Sequence, residues 1–151
     1  MPNLQWSKLS PLQLGRYAEY YAKMEFASYG YDVYTSEVDD HGVDFVVKSP
    51  RGHFLEIQVK SYRGTGYVFM KKDRFRISEE SILCLLRFIE GELPHFYVIP
   101  STTWLEPNSL FVSHDYGSEL NKQEWGLNLS KKNMPLLASY DAEHYFKEKI
   151  R

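Results

Sequence analysis

The segment GVDFVVKSPRGHFLEIQVKS, residues 42–61, holds two alternating strands around Ser49-Pro50-Arg51-Gly52. Proline at the second position of a type I turn, followed by glycine where φ must be positive, specifies a three-residue hairpin loop with a glycine bulge. That loop pairs Ser49 with His53, so Val46 lies opposite Glu56 and Asp44 opposite Gln58. A loop one residue longer would turn Asp44 to the other face. With side chains alternating along a strand, Glu56, Gln58 and Lys60 share one face and Leu55, Ile57 and Val59 the other. Directly opposed side chains stand roughly 4.5–5.5 Å apart at Cβ, so Asp44, Glu56, Gln58 and Lys60 converge on one patch.

A carboxylate, an amide and an ammonium gathered in a hairpin need either solvent or a charge to organise them. The rest of the chain bears on which. Its 151 residues fit one domain, with a core over about 10–100 and a C-terminal extension over 101–151. A lone cysteine, Cys84, excludes an intramolecular disulfide. It lies in the apolar run SILCLLRFI, where a buried structural thiol is expected. No apolar run is long enough to span a membrane and no signal-peptide pattern opens the chain, so a soluble cytoplasmic protein is expected.

Charge is uneven. Residues 48–76 carry eight basic side chains against two acids, a balance of +6 that leaves −8 elsewhere for a formal net charge of −2. Within it, YVFMKKDRFRI interleaves aromatic and basic residues, a pattern that stacks bases and grips phosphates or, equally, forms a strand pair with one solvated face. Arg63, Lys71, Lys72, Arg74 and Arg76 are the candidate nucleic-acid contacts.

Ser10 as N-cap, Pro11 at the first helical position and Gln13 completing a capping box start a helix that runs to about Tyr29 before Gly30. Its apolar stripe is read as Leu12, Gly15, Ala22, Phe26 and Tyr29, with Glu19 inside it. A carboxylate there is costly unless it snorkels to solvent, is paired or hydrogen-bonded, or coordinates a metal. Strands are expected at 31–38, 43–49 and 53–61, with a turn at 39–42. Residues 66–72 and 74–77 add one more strand or a hairpin. A second helix is expected at 78–91, capped by Ser78 and ended by Gly91, then a buried strand at 95–99. A helical turn near 101–105, strands near 109–113 and 125–129 and a helix over about 140–149 follow. The order αβββαβ predicts an α/β chain with a mixed sheet flanked by helices.

A helix with an inward Glu19, a strand, Asp44 at the start of the next strand and a hairpin partner ending Gln58-x-Lys60 resembles the PD-(D/E)xK, or restriction-endonuclease-like, nuclease superfamily. The likeness is greatest to its Holliday-junction-resolvase-type members and covers residues 12–61, loosely extending to 99. It implies that Asp44 is the metal-binding aspartate and Lys60 the catalytic lysine. Gln58 then stands in the slot usually held by an acid, and Glu19 is the extra glutamate of the first helix. Two departures are Val43 in place of the motif's proline and the neutral Gln58. The resemblance implies Mg²⁺ (or Mn²⁺) held by Asp44, Gln58, Glu19 and the Val59 carbonyl, DNA as substrate, and a homodimer that cuts two strands. Glu56, two residues before Gln58, faces the same way and offers a substitute acid.

Histidines 41, 53, 95, 114 and 144 show no ligand spacing for zinc, and no glycine-rich phosphate loop or nucleophile elbow occurs. The alternatives are a non-cutting module that binds nucleic acid or protein through the same sheet, and an interaction module built on the aromatic C-terminal half.

Overall fold

A computed structural model describes residues 2–35, 37, 42–119 and 122–150. The expected turn at 39–42 and His41 therefore fall largely outside the described residues. Helix α1 spans Pro11–Ser28. The Ser10 hydroxyl accepts from the Gln13 backbone, while the Gln13 side chain accepts from the Ser10 N–H, so the capping box is complete. Strands β1 (Asp32–Thr35), β2 (Phe45–Lys48), β3 (Phe54–Arg63), β4 (Gly66–Lys71), β5 (Ser81–Phe88), β6 (His95–Pro100), β7 (Phe111–Asp115) and β8 (Gln123–Leu129) follow. The chain ends in a short helix α2 (Met134–Leu137) and helix α3 (Ala142–Ile150). Helices and strands form the mixed α/β architecture expected from the sequence.

Five strands form a mixed sheet in the order β1-β2-β3-β5-β6, antiparallel except for the parallel pair β3–β5. The hairpin register is the one the turn dictates: Val46 pairs with Glu56, and Phe45 with Ile57. The Ser49 N–H donates to the His53 carbonyl at 2.7 Å, and Gly52 sits at φ +91°. A second sheet, β4-β8-β7, is antiparallel throughout.

Strand β5 replaces the helix expected at 78–91. It lies between β3 and β6 and is buried on both faces: Ile82, Cys84 and Leu86 enter one core, Leu83 and Leu85 the other. An apolar run of this length, without a polar face, carries no periodicity to separate strand from helix. The glycine after it, Gly91, ends a turn whose N–H bonds to the Leu4 carbonyl. Residues 74–77 form no strand, and the expected αβββαβ order loses its second helix. Chain between β3 and β5 instead leaves the main sheet, adds β4 to the small one and returns.

One core lies between the main sheet and helices α1 and α3, with Phe26, Phe45, Ile57 and Phe146 at its centre. The other lies between the main sheet and the small one, around Leu85, Ile99, Phe111 and Leu127. Helix α1 buries Leu14, Ala18, Ala22 and Phe26. Leu12, placed in the stripe by its phase at 100° per residue, is 78% exposed. The buried stripe is carried by small alanines that let the helix approach the sheet, so its phase differs from the expected one.

Candidate metal and nucleic-acid site

The site begins where β2 and β3 part. Gly42 has φ +80°, and a Cβ there would lie 2.5 Å from the Arg74 carbonyl, so only glycine lets residues 42–44 run against the Arg74 backbone. The chain then enters the sheet at Asp44, whose N–H donates to the Ile57 carbonyl at 2.8 Å. The Asp44 carboxylate takes over the next ladder position, with its Oδ2 accepting the Val59 N–H at 2.6 Å. In an extended strand a residue's N–H and C=O project from the same edge, so the Val59 carbonyl faces this gap as well.

Gln58 precedes Val59 on β3. Its side-chain Oε1 is shut off from solvent and has no hydrogen-bond partner, the one such side-chain atom found among the described residues. An amide oxygen left in that state costs about 1–3 kcal/mol, so a ligand that satisfies it recovers that energy. Gln58 lines two adjoining depressions. One, of about 410 Å³, also takes in Gly42, Glu56, Arg74 and Arg76. The other, of about 440 Å³, takes in Lys60, Lys71 and Arg74.

Burial pushes the Cys84 thiol well up, and the Asp44 carboxylate pushes it further. Cys84 is fully enclosed, so it is the inert structural thiol expected from its apolar run.

Helix α1 crosses this region on the opposite face of the sheet. Gly15 sits over Ser61 of β3, and the Lys23 ammonium lies 5.5 Å from the centre of the Phe45 ring of β2. Glu19 is between those two points along the helix. Its carboxylate pairs with Lys23 at 3.3 Å, with both side chains largely buried. Lys23 was not singled out from sequence, although its position four residues after Glu19 is the signal for such a pair.

The five basic candidates divide. Lys71, Arg74 and Arg76 line the depressions beside Gln58. Lys72 turns away: its ammonium bonds Ser113 Oγ at 2.7 Å and Asp115 Oδ1 at 2.8 Å, and it lies 3.9 Å from the centre of the Trp125 ring. Arg63 donates to the Leu9 carbonyl at 2.6 Å, tying β3 to the approach to α1. Among the described residues, no three side chains of His, Cys, Asp or Glu cluster as a metal cage.

No protein-family model matches the chain, and no curated protein matches it by sequence. Solved structures do match. The Holliday junction resolvase Hjc of Archaeoglobus fulgidus superposes with a TM-score of 0.57 at 12% identity, over 88% of this chain and 95% of that one. A bacterial homing endonuclease, I-Ssp6803I, superposes with a TM-score of 0.56 at 22% identity, over 93% and 94% respectively. This chain has the restriction-endonuclease-like fold. Asp44 directly precedes β2, and Gln58 and Lys60 lie on β3. Among the described residues, no helix is long and apolar enough to cross a membrane.

Proposed function

We propose that this chain is a divalent-metal-dependent nuclease that hydrolyses phosphodiester bonds in DNA. The observation that carries the reading is the buried, unpartnered Oε1 of Gln58, the residue before Val59, whose N–H the Asp44 carboxylate accepts. Hard oxygen donors of this kind suit Mg²⁺ or Mn²⁺. Asp44, Gln58 and the Val59 carbonyl would hold the ion, and Glu19, across the sheet and paired with Lys23, would not. When bound, the ion supplies charge neutralisation on the phosphate and a water acidic enough to attack at neutral pH.

The protein's own groups do the rest. Lys60 lies on the same face as Gln58, where its ammonium donates to a non-bridging phosphate oxygen and offsets charge that builds in the transition state. Water oxygen bonds to phosphorus, the ester P–O bond breaks, and the departing oxygen takes up a proton. Lys71, Arg74 and Arg76 fix the flanking phosphates as point charges and forks. Cutting both strands of a duplex would call for a homodimer.

Supercoiled plasmid incubated with Mg²⁺, with Mn²⁺ or with chelator tests the reading. Nicking by the wild type that needs the metal and is lost in Asp44→Asn is the expected result. Absence of nicking with either ion would remove the enzymatic reading.

A second reading has its own support. Gln58 replaces an acid and Glu19 is paired with Lys23, which leaves Asp44 with few anionic companions at the gap. A module that grips nucleic acid on this face without cutting it would keep the basic side chains and lose the ion.

A further inference from the structure

The small sheet turns one face to the second core and the other to solvent. On the solvent face, β4 presents Tyr67, Phe69 and Lys71, opposite Asn128, Gly126 and Glu124 of β8. His114 of β7 pairs with the same Glu124. The rings form a continuous row. Phe69 stacks beside Tyr67 (6.0 Å, 19°), His114 meets Tyr67 edge-on (5.7 Å, 68°), and Tyr116 stacks beside His114 (5.6 Å, 23°). Phe69 is 43% exposed and Tyr116 65% exposed, so the row ends in rings with open faces.

The row is held in place from below. Gly126 supplies a bed with no side chain, since a Cβ there would run into the Tyr67 ring. Glu124, the acid on this face of β8, accepts the Tyr67 hydroxyl at 2.6 Å, which orients the ring and engages that charge. One end of the row opens on the proposed catalytic groups: Tyr67, Phe69 and Lys71 share the depression of about 440 Å³ with Gln58, Lys60 and Arg74.

We propose that this face is a stacking platform for unpaired bases of the nucleic acid whose backbone reaches Lys60. Aromatic faces with cations along one side suit a single strand, whose bases stack while its phosphates follow the charges. A paired duplex keeps its base faces covered and gains nothing from the rings. The inference rests on the nuclease reading for its ligand class and adds a substrate feature, an unpaired segment next to the scissile phosphate.

The test is fluorescence anisotropy in chelator, where no cleavage occurs. A labelled oligothymidylate of about 12 nucleotides and a labelled duplex of the same length are titrated with wild type, Phe69→Ala, Tyr116→Ala and Phe69→Leu. Loss of one stacked ring should weaken single-strand binding roughly fivefold or more and leave duplex binding unchanged. Phe69→Leu keeps the apolar volume and lacks the π-face, so it should fall with the alanine variants while melting like the wild type. Equal affinities for all four proteins would overturn the platform, whatever the plasmid assay shows. So would a ring variant that changes the sedimenting mass and leaves single-strand affinity intact, because the face would then be a contact between copies. Weakened single-strand binding in a protein that never cuts supports the platform and removes the enzymatic reading alone.

Discussion

The Asp44 carboxylate accepts the Val59 N–H at 2.6 Å, standing where a backbone carbonyl would continue the β2–β3 ladder. One side chain thus closes the sheet and brings a charge to the β2–β3 gap at Val59. The two roles separate by substitution. Asp44→Ala leaves the Val59 N–H without its acceptor and should lower stability by about 1–2 kcal/mol in urea unfolding. Asp44→Asn keeps an acceptor oxygen and should restore most of that stability without restoring nicking.

Lys60 is half-buried on the polar face of β3 and bears on chemistry more than on packing. Lys60→Ala should abolish Mg²⁺-dependent nicking and leave the melting temperature nearly unchanged. Retained nicking with a large fall in melting temperature would assign Lys60 to the fold.

Neighbouring lysines should behave oppositely. Lys71 faces the depression, so Lys71→Ala should flatten the plot of log affinity against log salt by roughly 0.7–0.9. Lys72 is held by Asp115, Ser113 and the Trp125 ring, so Lys72→Met should leave that slope alone and cost about 1–2 kcal/mol of stability. Equal slope changes for the two would contradict the assignment.

What the sequence disclosed follows from how local each signal is. The hairpin register depends on four turn residues, and Ser10 with Gln13 caps α1 within one turn, so both are legible. Lys71 and Lys72 differ only in what β7 and β8 bring against them, which adjacency in sequence does not reveal. The run 81–88 has no polar face because two cores cover it, so capping signals at Ser78 and Gly91 suggest a helix. Ser78 is in fact held by Ser101, whose hydroxyl donates to its carbonyl and accepts from its N–H. The register through Phe45 opposite Ile57 could be read from the turn; that Asp44 leaves it, bonding the Ile57 carbonyl through its N–H and the Val59 N–H through its carboxylate, could not. That the Gln58 oxygen lacks a partner required three-dimensional packing.

Alkaline pH should expose the buried tyrosines. Tyr21 is pushed up to about 12, first by burial and then by the Glu25 carboxylate, and burial raises Tyr145 as well. Folded values above the ordinary 10.0 mean that stability from these groups is complete below that pH. It is lost as pH rises, because the unfolded chain releases protons that the folded chain retains. Urea midpoints measured upward from pH 9.5 should therefore fall from about pH 10, and less steeply in Tyr21→Phe. Identical slopes for variant and wild type would show that Tyr21 titrates normally.

Calorimetric titration with Mn²⁺ addresses the centre of the account. Gln58→Glu puts a carboxylate where the unpartnered amide oxygen now lies, one residue before the Val59 N–H that Asp44 accepts. It should tighten binding by about 1–2 kcal/mol, a favourable charge interaction discounted for a partly wet site. The expected order is Gln58→Glu tightest, wild type next, and no detectable heat for Asp44→Asn, which keeps the hydrogen bond to Val59 and so isolates the charge. Equal binding by all three proteins, or binding by none, would show that Asp44 and Gln58 do not hold a metal.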